Sequence, residues 1–182
     1  MFRNQKYNFF IILFFLIFFS CAKNLLNNTN KQNSFKSNFG SDSTLSVISW
    51  NIKNYPSSNA SIDSIAQIIL MLNADVIGLQ EITDNQAFML LIDKINLIDK
   101  NNLWTGFRSI INSNNQELAY IIKISSININ ENPYTILNEY ANYFAYREPY
   151  VLEFSFNNSD YIIINNHYKC CGDGYLSFNF ND

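Results

Sequence analysis

Asp75-Val76-Ile77-Gly78-Leu79-Gln80-Glu81 is the stretch on which the fold turns. An uninterrupted apolar run of this length, bounded by carboxylates, reads as a strand buried inside an α/β sheet. Working upstream, Leu45–Trp50 has the same character and ends at Asn51. Between the two strands, Ile62, Ile65, Ile69 and Leu72 recur at helical spacing, which predicts a helix over Ile62–Leu72. Ser61 is its expected N-cap and Asn73 its expected end. Downstream, Asp84 should cap a second helix through Ile98, with Phe88, Leu91, Ile92 and Ile95 on one face. Strand–helix–strand–helix order is the signature of the α/β class.

Past residue 98 the pattern changes to strands. Leu118–Ile124, Tyr150–Phe156 and Tyr161–Ile164 are rich in Ile, Tyr, Val and Phe, with turns supplied by Pro133 and the Asn-containing stretches. The expectation is a mixed sheet with helices packed on one face.

Composition bounds the function classes. The 182 residues are 48% hydrophobic and 16% aromatic, enough for one domain with its own core, starting near Leu45. A net charge of -3 excludes a broad basic surface that would draw nucleic acid non-specifically, so any phosphate contact must come from a few placed cations. Arg3 and Lys6 precede the apolar run Phe9–Phe19, which is followed by Ser20 and Cys21. Charged region, apolar region and small residue are the parts of an export signal. As a helix the run is only about 17 Å long, short of a bilayer core of about 30 Å. A cysteine in this place resembles the lipobox of bacterial lipoproteins, so residues 1–21 are expected to be a signal with acylation at Cys21, the alternative being an uncleaved anchor. Residues 22–44 are polar and read as a tether. Both readings put the protein outside the cytoplasm, held at a membrane or secreted.

The chain has one histidine, His167, at the end of Ile162-Ile-Ile-Asn-Asn-His-Tyr-Lys-Cys-Cys-Gly-Asp-Gly174. A β-type run breaking into a glycine-containing loop sets an imidazole at the edge of a sheet, where it can exchange protons near neutral pH. The adjacent Cys170 and Cys171 fit no zinc spacing and would form a strained disulfide. They read as small side chains in a tight loop.

Three further signals stand in order with that histidine: Ser49-Trp-Asn-Ile-Lys53 leaving a strand, Glu81 at the end of the next, and Arg147-Glu-Pro149 entering another. Taken singly, each has a plainer reading. Glu81 could be a solvated carboxylate, His167 structural, Asn51 turn chemistry and Arg147 a strand entrance. As an ordered set, over roughly Leu45 to Gly174, they resemble the endonuclease/exonuclease/phosphatase superfamily, which includes the pancreatic-type deoxyribonucleases. The segment around His167 looks like that of secreted bacterial endonuclease-like members.

The resemblance implies a four-layer α/β sandwich of two sheets with helices outside, of which this chain holds the N-terminal half. It implies Mg2+ (or Mn2+ or Ca2+) at Glu81 with Asn51 beside it, a phosphate clamp at Arg147 with Lys53 as a lesser contact, and proton transfer by His167. Glu117 is implied as an acid that orients the histidine. Its spacing to Lys123 is one residue short, and a one-residue slip reverses a strand side chain, so Gln116 competes for the place. Nucleic acid is the implied substrate, with a phosphomonoester or phospholipid as alternatives within the fold.

The resemblance also implies a Gly-Asp-x-Asn segment and a Ser-Asp-His segment, and Tyr175–Asp182 contains neither. The expectation is therefore a truncated member with little or no activity by itself, the competing reading being a non-enzymatic lipoprotein remnant. The apolar inner face of its sheet is expected to be left bare, inviting aggregation or a partner polypeptide.

Overall fold

The computed structural model describes residues 40, 41, 43–110 and 116–168, all within the unit Ser37–Asp182. The signal, Cys21, the tether up to residue 39, and Cys170 and Cys171 lie outside the described residues.

Strand β1 (Val47–Tyr55) runs parallel to β2 (Val76–Ile82), in register from Val47 opposite Val76 to Asn51 opposite Gln80. Helix α1 (Asn59–Leu72) is the crossover between them. It starts three residues before the expected helix, with Ser58 as N-cap, because Ser61 turns back and bonds the Ser58 carbonyl with both its N–H and its hydroxyl. Asn73 ends it in the left-handed conformation, its N–H on the Ile69 carbonyl at 3.0 Å. Helix α2 (Asn85–Ile98) begins where Asp84 accepts a hydrogen bond from the Ala87 N–H at 2.8 Å, an N-cap as expected. Strands β3 (Trp104–Arg108) and β4 (Glu117–Lys123) complete a mixed sheet in the order β1-β2-β4-β3, with β4 antiparallel to both neighbours.

One face of this sheet takes the helices. Ile77, Leu79, Ile82, Ala119 and Ile121 meet Ala66 and Ile69 of α1 and Phe88, Leu91, Ile92 and Ile95 of α2. Gly106 of β3 is the close-approach point: a Cβ there would sit 2.7 Å from Ile92 Cδ1 and 2.8 Å from Phe88 Cζ.

The other face corrects the expectation of a bare sheet. Strand β7 (Tyr150–Phe156) pairs along its whole length with β8 (Ser159–Asn165). The two are joined at Asn157-Asn158, both at positive φ, as the tight turns of hairpins require. Two short strands, β5 (Asn128–Ile129) and β6 (Tyr134–Thr135), line the other edge of β7. The physical reason is strand alternation. Tyr150, Leu152, Phe154 and Phe156 all project to one side of β7, so the hairpin is a second apolar face. It is buried most fully by packing on Val76, Leu118, Tyr120 and Ile122 of the first sheet. The apolar surface left in solvent lies instead on β8, where Ile162 is 65% and Ile164 48% exposed.

Truncating Leu91 to alanine should cost about 2–5 kcal/mol of stability in urea or thermal unfolding, because its side chain is fully buried between helix and sheet. Leu97→Ala, on the same helix but 63% exposed, should stay within about 0.5 kcal/mol of the parent.

Candidate active site

The site forms where the carboxyl ends of β1 and β2 lose their regular pairing. β1 uses the four steps from Asn51 to Tyr55 where β2 uses the two from Gln80 to Ile82. Lys53 and Asn54 absorb the excess at φ 43 and 51. On its other edge β2 carries the extra residue, since Leu79 lies opposite Ala119 but Ile82 opposite Glu117. Gln80 and Glu81 lie inside that bulge, and Glu81 takes φ 66. A bulge re-aims a side chain out of the alternation of its strand.

Glu81 is held from three directions. Asn51 Nδ2 donates to Oε1 at 2.9 Å, the Asn54 N–H to Oε2 at 3.0 Å, and Gln116 Nε2 reaches Oε2 at 3.5 Å. The Lys53 N–H in turn fixes the Asn51 amide oxygen at 2.9 Å, while the Lys53 side chain is exposed. His167, two residues past β8 and therefore delivered by the second sheet, brings Nε2 to 3.6 Å from Glu81 Oε1. Arg147, just before β7, donates from Nη1 to Gln116 Oε1 at 2.8 Å. Gln116 also bonds Asn54 Oδ1 at 2.6 Å, so one amide ties together β1, β2 and the arginine. Arg147 Nε and His167 Nδ1 are buried without a hydrogen-bond partner among the described residues. The Nε–H of Arg147 is thus a donor left to an anionic ligand.

Glu117 is placed differently from the expectation. It is buried, and its Oε2 accepts from Ser109 Oγ at 2.9 Å. Neighbouring residues of a strand face opposite ways, so bringing Gln116 to Glu81 and Arg147 turns Glu117 away from them. Asn54 is the site residue that sequence reading missed. Its signal was the Lys53-Asn54 pair just past Asn51, because asparagine is among the few residues that enter the left-handed region readily.

The electrostatics follow from these contacts. The Asn51 amide holds the Glu81 carboxyl below its usual value, with help from the Asn54 N–H and the charges of His167 and Arg147, against partial burial. His167 is also pushed down, first by burial and then by the Arg147 charge, with Glu81 opposing. At neutral pH the pair is an ionised carboxylate beside a neutral imidazole able to take a proton. As for a metal, no group of three or more His, Cys, Asp or Glu capable of holding one exists among the described residues. Glu81 still has acceptor capacity on two oxygens that share three hydrogen bonds. One carboxylate with solvent and substrate oxygens suits Mg2+, which keeps several waters and takes one or two carboxylates. The donor set therefore fits a hard divalent ion at Glu81. Asn51 faces it with the amide nitrogen, so Asn51 acts here by orienting the carboxylate.

The Endonuclease/Exonuclease/phosphatase family model matches residues 48–170, and the chain belongs to that family. Among solved structures, the fold is similar to a truncated TDP2 from Caenorhabditis elegans, at 24% identity and a TM-score of 0.56, covering 71% of this chain and 48% of that one. It is also similar to D. rerio TDP2 complexed with single strand DNA product, at 17% identity, a TM-score of 0.56 and the same coverage of each. The chain thus spans about half the length of the solved proteins it matches. Among curated proteins none matches it.

Because the sequence has one histidine, its ring titration by NMR reports on this cluster without overlap. Its pKa should lie below 6.5, rise in Arg147→Gln and fall further in Glu81→Gln, following the signs of the two charges. The linked stability has the same origin. The folded ring releases its proton more readily than the unfolded one, so its contribution is complete above the ordinary 6.5. It is lost as the pH falls through that value toward the folded pKa.

Proposed function

We propose that this chain is an exported, metal-dependent phosphodiester hydrolase of the nuclease type, tethered through an acylated Cys21 and acting on nucleic acid. The observation that carries the reading is the convergence of Glu81, Gln116, Arg147 and His167 on one point from both sheets, with Glu81 and His167 3.6 Å apart. A divalent ion at Glu81, Mg2+ by preference and Mn2+ or Ca2+ as substitutes, would supply Lewis-acid stabilisation of charge on the phosphoryl oxygens. The chain's own groups do the rest. Arg147 binds phosphate oxygens through its guanidinium, whose Nε–H has no partner among the described residues, and Lys53 offers an exposed second cation. Asn51 and Asn54 hold the Glu81 carboxylate in one orientation. His167 transfers a proton at the scissile phosphate through a nitrogen kept neutral at pH 7. D. rerio TDP2, of similar fold, is known in complex with a single-stranded DNA product, which supports nucleic acid as the substrate class.

Residues 1–182 contain one histidine, and the proton transfer proposed here is assigned to it. A partner polypeptide would seat on the exposed face of β8 around Ile162 and Ile164, the inner face of the first sheet being covered already. Among the described residues no helix is long and apolar enough to cross a membrane.

Plasmid nicking by the purified chain should require Mg2+, stop on addition of chelator and vanish in Glu81→Ala and His167→Ala. Nicking that survives Glu81→Ala would refute the assignment. Radiolabelled palmitate should be incorporated by the parent in a bacterial host and not by Cys21→Ser.

A further inference from the structure

Glu81 and His167 belong to different sheets, and no strand ladder joins β2 to β8 among the described residues. Their separation must be set by something other than backbone pairing. Useful placement of two reacting groups needs about 0.5 Å accuracy, which two loosely stacked sheets do not provide. The side chain of Asn165, the last residue of β8, bridges the gap. It is 5% exposed, and its amide enters the first sheet rather than its own. Nδ2 donates to the Leu79 carbonyl at 2.9 Å and to the Ala119 carbonyl at 3.1 Å. Oδ1 accepts from Gln80 Nε2 at 2.7 Å, and the Asn165 N–H donates to Tyr120 Oη at 2.9 Å.

Two features make this more than a tie between layers. The first is where it lands. Leu79 opposite Ala119 is the last regular pair before the bulge that turns Glu81 into the site. Gln80 precedes Glu81 by one residue, and Asn165 precedes His167 by two. The second is that the amide can face only one way, since reversing it would set Oδ1 against two carbonyl oxygens. A group with every donor and acceptor committed, on partners that are themselves buried, holds its backbone to a single position.

We propose that Asn165, together with Gln80, is a positioning pair that fixes His167 over the Glu81 carboxylate. This rests on the hydrolase reading of that cluster only for its consequence in catalysis; the placement itself is a property of the chain. Aspartate is no substitute at 165, because it lacks the two donors and would turn a second oxygen toward Leu79 and Ala119.

The test uses the full chain and its single histidine. Carbethoxylation of His167 by diethyl pyrocarbonate is followed by mass spectrometry of the peptide that contains it, alongside the thermal midpoint of each variant. Asn165→Ala removes all three side-chain bonds of the bridge and leaves the backbone N–H on Tyr120 Oη. Gln80→Leu removes one bond of the bridge, with the longer Gln80 contacts to Ser49 Oγ and the Gly78 carbonyl, and leaves both carbonyl contacts of Asn165, so it keeps a folded variant in the series should Asn165→Ala fail to fold. Leu152→Ala is the control, a truncation in the same inter-sheet core without a polar contact to the site. The expected result is a several-fold faster modification in Gln80→Leu, and faster again in Asn165→Ala, than in Leu152→Ala at equal or lower thermal midpoint. In the nicking assay kcat should drop by about 10-fold or more with KM little changed, since a displacement of ~1 Å can cost 10²-fold. Modification rates that simply follow the thermal midpoint across all three variants would overturn the proposal. Modification needs no turnover, so a chain without nicking activity would defeat the hydrolase reading while the modification rates still decide for or against the positioning pair.

Discussion

A glutamate in left-handed backbone geometry is the constraint on which the site depends. Glu81 at φ 66 occupies a region that costs a side chain of this kind about 1–3 kcal/mol. The conformation persists because its surroundings offset that cost. The carboxylate collects hydrogen bonds from Asn51 and the Asn54 N–H, each to a charged acceptor and each worth about 1.5–3 kcal/mol. Those donors exist only because β1 has its own irregularity at Lys53 and Asn54. The two bulges are therefore one device. Regularising either strand would return Glu81 to the helix-covered face of the sheet and leave the histidine without a neighbour.

The two faces of the first sheet divide the work between stability and positioning. The helix side is aliphatic and aromatic, closed by α1 and α2, and contains no part of the reacting cluster. The side facing the second sheet mixes apolar contacts with directional ones. Tyr120 stacks on Tyr150 at 5.5 Å between ring centroids, and its hydroxyl lies within hydrogen-bond distance of the Tyr150 and Ile163 carbonyls. Apolar packing sets the distance between layers but tolerates sliding, whereas hydrogen bonds of fixed direction do not. The layer that delivers Arg147 and His167 is the one held by such bonds.

What was legible in the sequence was local. Asp84 and Asn73 announced helix ends because a cap is a contact over three or four residues. β7 was read with its observed limits, Tyr150–Phe156, because its alternation is complete. Asn51, Glu81, Arg147 and His167 could be named because a family resemblance carried them. What was not legible is long-range. Nothing in Leu118–Ile124 or Tyr150–Phe156 says whether the two strands pair edge to edge or stack face to face, and stacking decided that the inner face is covered. The choice between Gln116 and Glu117 turned on the β2 bulge, thirty-odd positions away in sequence. Asn165 looked like one more asparagine in an asparagine-rich chain until its amide was found between Leu79 and Ala119.

Position 116 also shows why the correction matters chemically. Among the described residues the lysine ion pairs are Lys94–Asp63 and Lys123–Asp75, His167 lies 3.6 Å from Glu81, and Arg147 joins none of these contacts. It meets Glu81 only through Gln116, which accepts from the guanidinium on one end of its amide and donates to the carboxylate on the other. A neutral spacer keeps both charges in place without letting them neutralise each other. With an acid at 116, Arg147 would close onto it as a bidentate pair, and its fork would be occupied before any phosphate arrived. For a chain of net charge -3, the attraction that brings in an anion has to be preserved at the few cations of the site, this arginine first among them. The amide of Gln116 is what preserves it.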